Sequence, residues 1–358
     1  MLWTTSLGTQ PALATQLSPW GRATSIDRHG ALLKSLLLKM QAPGYRMMGG
    51  GNSMTSMVTD EQARQLAKSF NGRIALNEPM RKYTSFQIGG PADVLAEPHD
   101  MRSLSAVLRW GWNEGLPVFV LGNGTNLLVA DEGIRGVVVR IGPGLDDVRF
   151  DGDRVHAMAG VSLPALARAC ADRGLAGLEW AVGIPGSFGG AMAMNAGAYS
   201  HTVGDVVREV TTLLLDGSIS VKTCEEMQFA QRSSRLSHGD LVACEAMLQL
   251  ERGNPEEIRR QMSEYMKDRK IKQPLHLPSA GCVFQNPSGR GAGRYIDGAG
   301  LKGLRVGGAE VSHVHANFIV NVGDATARDV LILMNVVRRS VYDKFGVELV
   351  PEIRVVGG

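Results

Sequence analysis

Gly122-Asn123-Gly124-Thr125-Asn126 follows a short apolar run, Val118–Leu121, that reads as a buried strand. Two glycines one residue apart let the backbone turn sharply and keep side chains out of the way of a close ligand. Successive N–H groups in such a turn form a concavity for phosphate oxygens, and Thr125 and Asn126 add side-chain donors beside it. A dinucleotide-binding Rossmann loop has Gly-x-Gly-x-x-Gly and opens a helix. Here the third glycine position holds Leu127 and a strand-like run follows. The chemistry indicated is pyrophosphate binding by a turn between strands, although an ordinary glycine hairpin is the commoner meaning of such a stretch alone. A second loop, Gly183-Ile184-Pro185-Gly186-Ser187 with Gly189 and Gly190, combines a bend, a helix N-cap and free N–H groups. Its small residues let a flat ring or a pyrophosphate lie on backbone. Close packing of small residues is the better explanation of one such loop alone. Two in one chain, roughly sixty residues apart, shift the balance to nucleotide or flavin binding.

The elements that must position these loops are mixed. The chain has 358 residues, enough for two or three subdomains. Hydrophobic residues make up 44% and charged residues 20%, as in a soluble globular protein, and no apolar run reaches a membrane span. A formal net charge of +3, with no basic cluster interleaved with aromatics, argues against a nucleic-acid surface. Cys170, Cys224, Cys244 and Cys282 lack metal-ligand spacing and fit a reducing cytoplasm. His313 and His315 have no cysteine or carboxylate partner at suitable spacing, so no metal site is expected. Residues 1–55 are acid-poor, with Asp27 alone. They read as an extension, either a transit peptide or translation from an upstream start, joined through Gly49-Gly50-Gly51.

Helices are expected over 59–70, 103–112, 162–173, 255–266 and 325–345, the last with Val330, Met334 and Val337 inward. Strands are expected at 94–95, 118–121, 136–141, 154–158, 241–250 and 317–322, with a loop-to-strand element at 279–287. A hairpin over 206–223 turns at Asp216-Gly217. Strands and helices in separate blocks indicate an α+β, multi-subdomain protein.

Four motifs occur in order: Tyr83-Thr84-Ser85-Phe86-Gln87-Ile88-Gly89-Gly90-Pro91-Ala92, the turn at 121–128, Gly183 to Ala191, and Asn195-Ala196-Gly197-Ala198. Together they resemble the UDP-N-acetylenolpyruvoylglucosamine reductase family, FAD enzymes that make UDP-N-acetylmuramic acid for peptidoglycan. The likeness runs from about Asn77 to the C-terminus, and no span suggests the tyrosine loop of the family's longer subtype. The resemblance implies two FAD-binding subdomains of the vanillyl-alcohol-oxidase type and a third, α+β domain that closes over substrate. On this chain they are expected at 56–141, 142–253 and 254–358. FAD would be held non-covalently by Gly122, Asn123, Gly124, Thr125, Asn126, Gly183, Ile184, Pro185, Gly186, Ser187, Gly189, Gly190, Asn195 and Gly197. NADPH would be the co-substrate of a monomeric cytoplasmic enzyme acting on a UDP-sugar.

The same resemblance assigns catalytic roles. Phe229-Ala230-Gln231-Arg232-Ser233-Ser234 matches the family's arginine motif, with Gln231 where the family has tyrosine. Ser279 to Pro287 matches the proton-donor loop, with Cys282 at the usual serine, and Pro351-Glu352-Ile353-Arg354 matches the glutamate motif. Arg269, Lys272 and Asn286 stand where the family contacts substrate and its diphosphate. The residue types suit the reaction. Hydride added to a vinyl CH₂ leaves negative charge on the adjacent carbon and its carboxylate, which a cation and an acid must stabilise. Arg232 is permanently charged and grips carboxylates in bidentate fashion. Glu352 either donates a hydrogen bond when protonated or orients Arg232 when ionised. A thiol, with an ordinary pKa of about 8.5, is protonated at neutral pH and is a stronger acid than a hydroxyl.

Two other readings stand beside this one. A flavin oxidase of the same fold would often tether FAD through a histidine near the first glycine turn, and no histidine lies between Asp100 and His156. A non-catalytic nucleotide-binding module would not need Arg232, Cys282 and Glu352 together.

Overall fold

Three parallel strands, Pro91–Pro98, Ile134–Arg140 and Val118–Leu121, form the sheet that delivers the first glycine turn. Strands covered on both faces read as continuous apolar sequence rather than as alternation, and Val137-Val138-Val139 is such a run. Val94, Ala96, Val137 and Val139 face the main core, while Leu95 and Val138 join a smaller cluster with Met80, Leu121, Leu127 and Val129 on the opposite face. The helix Met101–Asn113 covers the sheet with Leu104, Val107 and Leu108. An unexpected strand, Gly72–Pro79, closes the sheet antiparallel to Pro91–Pro98. Its polar residues follow no two-residue period, so pattern alone does not mark it. The computed structural model describes residues 56–358 apart from Ser69, Ser288 and Gly289; the extension and linker expected within residues 1–55 lie outside the described residues.

The second sheet is wholly antiparallel, in the order Ile219–Thr223, Val207–Leu214, Leu241–Gln249, Arg154–Met158, Val148–Asp151. The hairpin turns where expected, with Gly217 at φ 85° and Asp216 accepting from the Ser218 N–H at 2.8 Å. Beside this sheet lie the helix Leu163–Ala171 and a short helix, Phe188–Ala193, capped by Ser187. The Ser187 Oγ accepts from the Gly190 N–H at 3.2 Å.

The helix expected to end at Met266 runs from Pro255 to Lys272. Arg269 and Lys272 therefore lie in its last turn, not beyond it. The apolar period stops at Met266, but the helix continues on other supports. Asn254 caps its N-terminus, Pro255 occupies the first turn, Glu256 and Glu257 sit at the positive end, and Arg269, Lys270 and Lys272 sit at the negative end. Its Ile258 and Met262 belong to the same core as the second sheet.

Toward the C-terminus, a small antiparallel sheet of Arg305–Val306, Ala309–Val311 and Ile319–Asn321 packs against the long helix Ala327–Phe345, which buries Val330, Leu333, Met334 and Val337. The stretch 279–287 is not a strand. It makes single bridges on two sides, Cys282 to Phe318 and Phe284 to Pro351, and turns at Gly281 with φ 80°. The final strand, Arg354–Val356, returns to pair in parallel with Leu127–Val129.

The long helix is capped twice. Thr326 and Asp329 form a capping box, and Asp131, from the turn before Ile134–Arg140, accepts from the N–H groups of Ala327 at 2.8 Å and Arg328 at 3.0 Å. Replacing Asp131 by alanine removes both bonds and a negative charge at a helix N-terminus. The expected loss is about 1–2 kcal/mol of unfolding free energy, read as a lower urea midpoint at unchanged slope; an unchanged midpoint would show that Thr326 suffices.

Candidate active site

The two glycine turns meet. A Cβ on Gly122 would overlap the Ser187 Oγ. The Thr125 Oγ1 donates to the Pro185 carbonyl at 3.2 Å, and a Cβ on Gly186 (φ 139°) would lie 3.3 Å from the same oxygen. Beside this junction is a cavity of about 140 Å³ lined by Leu121, Gly122, Ser187, Gly189, Gly190 and Arg354, among others. The use of the glycines differs from the expectation that they clear room for a ligand. The space at Gly124 is taken by the Tyr83 carbonyl, at Gly189 by Ala159 and at Gly197 by the His201 carbonyl. Close chain-to-chain contact requires those three; at exposed Gly190 a Cβ would lie 3.3 Å from the Ser187 Oγ. The N–H groups of Asn123, Gly124, Thr125 and Asn126 make no hydrogen bond among the described residues. A run of unpaired donors at a strand end is suited to phosphate oxygens, so this junction fits the pyrophosphate of FAD.

Next to it the three expected catalytic residues converge. The Arg232 Nε lies 2.8 Å from the Glu352 Oε1 in an ion pair, and the Glu352 side chain is only 13% exposed. The two terminal guanidinium nitrogens have no protein acceptor among the described residues and remain free for a carboxylate. Arg232 has φ 56°, a left-handed conformation that costs a non-glycine residue about 1–2 kcal/mol. It follows exposed Gln231 in a tight turn closed by reciprocal backbone bonds between Ala230 and Ser233 at 3.0 and 3.2 Å.

Glu352 is placed by its neighbours on both sides. Its N–H donates to the Val283 carbonyl at 2.7 Å, and its carbonyl accepts from the Asn126 amide at 3.2 Å. The Cys282 loop is held by Asn317, which sequence reasoning missed. Buried Asn317 accepts from the Phe284 N–H at 3.0 Å through Oδ1 and donates to the Phe284 carbonyl at 2.7 Å through Nδ2. A lone asparagine before an apolar run carries no pattern that would reveal this. Ser85, within a recognised motif, donates to the Ser279 carbonyl at 2.7 Å and so ties the first unit to the thiol loop.

Burial, the largest influence, raises the half-buried Cys282 thiol to about 11. The Glu352 carboxylate pushes it the same way, while Arg232, Arg269 and a hydrogen bond with Asn317 oppose. Burial also raises the Glu352 carboxyl above the usual range, against the pull of Arg232. The site therefore holds its thiol protonated at neutral pH, beside a carboxyl whose proton affinity burial has raised.

Arg269 lies on Gly183. A Cβ there would sit 2.9 Å from the arginine Cδ, so Gly183 makes room for this side chain. Half-buried Arg269 has no carboxylate partner among the described residues and acts electrostatically on Cys282 and Tyr199. Tyr199, also missed, stacks on Tyr265 at 4.0 Å and donates to Asp268 at 3.1 Å. Lys272 and Asn286 are not drawn into the cluster. Exposed Lys272 pairs with Asp268 at 2.6 Å, and the Asn286 Oδ1 accepts from the Ala292 N–H at 3.0 Å. Both amide atoms of Asn195 bond within the protein, to Ala230 and Gly204.

Residues 92–222 match the profile of an FAD-binding domain, and residues 273–356 match that of the C-terminal domain of UDP-N-acetylenolpyruvoylglucosamine reductase. The UDP-N-acetylenolpyruvoylglucosamine reductase of Caldanaerobacter subterraneus is 48% identical over 286 residues, covering 80% of this chain and 94% of the relative. That of Syntrophomonas wolfei is 44% identical over 285 residues, covering 80% and 95%. The crystal structure of the Thermus caldophilus enzyme superposes with a TM-score of 0.68 at 38% identity, covering 80% of this chain and 98% of that one.

The thiol's surroundings predict its reactivity. Because only thiolate reacts, alkylation of Cys282 by iodoacetamide should rise about tenfold per pH unit from pH 7 to 10 without levelling. Glu352→Gln, by removing a repelling charge, should speed the reaction at pH 9; Arg232→Ala should slow it. Peptide-level mass spectrometry separates Cys282 from the other thiols, of which Cys170 and Cys244, raised by burial to about 12, should stay protected. A plateau near pH 8.5 would contradict the assignment.

Proposed function

Since the chain belongs to the UDP-N-acetylenolpyruvoylglucosamine reductase family, we propose that it reduces UDP-N-acetyl-3-O-(1-carboxyvinyl)glucosamine to UDP-N-acetylmuramate at the expense of NADPH. The chain is an FAD-dependent oxidoreductase. The reading places it in the cytoplasm, in peptidoglycan precursor synthesis, as a monomer; no helix among the described residues is long and apolar enough to cross a membrane. The observation that carries the proposal is the convergence of Arg232, Glu352 and Cys282 beside the unpaired N–H groups of the first glycine turn.

In this reading the turn at 122–126, with the loop at 183–190, holds FAD without a covalent bond. Bound there, the flavin would supply the hydride-transfer chemistry between NADPH and the vinyl CH₂ of the substrate. The chain's own residues handle the charge and the proton. The two free nitrogens of Arg232 grip the substrate carboxylate, and Glu352 fixes the third nitrogen so that the fork points one way. As negative charge builds on the carbon next to that carboxylate, Arg232 stabilises it. The Cys282 thiol then gives its proton to that carbon, and Arg232 and Arg269 stabilise the thiolate left behind. Arg269, a half-buried cation without a carboxylate partner, also suits a substrate diphosphate. Lys272 and Asn286 would join it once substrate draws Lys272 from Asp268. The expected organisation is two FAD-binding subdomains, 56–141 and 142–253, and a substrate-binding domain, 254–358.

Anaerobic stopped-flow separates the two halves of the reaction. The purified protein should be yellow, NADPH should bleach it, and the UDP-enolpyruvyl sugar should restore the colour. Cys282→Ala should leave bleaching unchanged and slow recolouring by about 10²–10⁴-fold, while Cys282→Ser should retain much of the rate. Normal recolouring in Cys282→Ala would remove the thiol from the mechanism. A colourless protein that takes up no FAD would remove the whole proposal.

A further inference from the structure

Arg232 stands in a turn that its own sequence does not favour. Its left-handed φ of 56° is usual for glycine or asparagine at the third position of a tight turn, and such strain persists only where the surroundings over-determine it. Beside the backbone bond from Arg235 to Met227, the side-chain contacts that do so involve the segment where the second glycine loop ends, at Ala193 and Asn195. The Asn195 Nδ2 donates to the Ala230 carbonyl at 3.1 Å, the same oxygen that accepts from the Ser233 N–H and closes the turn. The Asn195 Oδ1 is fixed by the Gly204 N–H at 2.9 Å, which orients the amide. On the far side of the turn, Ser234 and Ser237 both donate to the Ala193 carbonyl, at 3.2 and 2.8 Å. Asn195 is 8% exposed and itself left-handed, at φ 39°. A buried amide with both ends engaged in the chain, one of them on the carbonyl two residues before Arg232, orients that turn.

We propose that Asn195 is a positioning residue for Arg232, holding the guanidinium fork toward the substrate carboxylate, rather than a residue that binds the flavin. The proposal rests on the reductase reading for its substrate. It adds a physical link: the segment that ends the second flavin loop also sets the catalytic arginine, through one side-chain amide.

Asn195→Asp is the sharpest test. It is isosteric and tolerates the left-handed backbone, and its carboxylate still accepts from Gly204. It can no longer donate to Ala230 and sets an anion against that carbonyl. The variant should keep full FAD content and bleach with NADPH within about twofold of the parent. Recolouring by the UDP-enolpyruvyl sugar should slow about 10–100-fold. A second readout needs no substrate. If Arg232 is released from its place, its acidifying influence on Cys282 fades, and alkylation of Cys282 at pH 9 should slow several-fold, as in Arg232→Ala; general loosening would speed it instead. Asn195→Gly, which keeps the backbone freedom and lacks both bonds, should show the same selective loss and serves if the aspartate variant does not fold. Recolouring and alkylation at parental rates, or FAD lost in proportion to activity, would overturn the inference. Failure of the parent protein to use the UDP-sugar would instead overturn the reductase reading, while the alkylation comparison would still decide the role of Asn195.

Discussion

The return of the C-terminus to the first glycine turn is the constraint on which the site depends. Arg354–Val356 pairs in parallel with Leu127–Val129, the strand that leaves the turn. At the head of this ladder the Arg354 N–H donates to the Asn126 carbonyl at 3.0 Å, and the Asn126 amide donates back to the Glu352 carbonyl. One residue of the turn thus holds the backbone on both sides of Ile353. Glu352 then donates its own N–H to Val283, beside Cys282. The turn that fits a pyrophosphate, the carboxylate and the thiol loop are linked through three consecutive hydrogen bonds, two between main chains and one from the Asn126 side chain. Such contacts have little freedom to drift, which is what proton transfer at hydrogen-bond reach demands.

The arginine reaches the site by a different route. Its turn is strained and stands on side-chain bonds from Asn195, Ser234 and Ser237. Glu352 therefore meets Arg232 across two independently supported pieces of chain. An ion pair joins them, and the 13% exposure of the carboxylate keeps it from being screened like a surface pair. Strain at Arg232 has a structural use. A relaxed extended residue at this position would not reverse the chain between Ala230 and Ser233, and the side chain would leave the turn in another direction.

Much of this was legible because certain residue types admit few explanations. The strand Val118–Leu121, the Asp216-Gly217 hairpin and the long helix to Phe345 follow from apolar period and turn chemistry. Ser187 as a helix cap was also readable. What sequence could not give was the identity of each glycine's neighbour. Gly122 is small for Ser187 and Gly183 for Arg269, pairs separated by 65 and 86 positions by their numbering. Asn195 and Asn317 act on carbonyls 35 and 33 residues away, and a single buried asparagine leaves no periodic trace. The extension of the helix to Lys272 was hidden for the opposite reason: caps and end charges sustain it where the apolar stripe has stopped. Once it is seen to be helical, the pairing of Lys272 with Asp268, four residues earlier, is the ordinary one.

The charges gathered at the site also constrain how its acid groups work together. Without substrate, two guanidinium groups face one carboxyl and one thiol. If Glu352 is ionised, a substrate carboxylate brings the balance to zero, and loss of the thiol proton leaves one uncompensated negative charge in a half-buried place. If Glu352 is protonated, the substrate carboxylate and the thiolate together match the two arginines. Burial already raises the Glu352 carboxyl toward that form, and the same burial raises the thiol. The two acids are therefore coupled rather than independent, and a proton on Glu352 makes it easier for Cys282 to give its own away. In the proposed reaction Glu352 would orient Arg232 before the carboxylate arrives and would hold a proton after it, so that its two suggested roles would belong to successive charge states of one buried cluster.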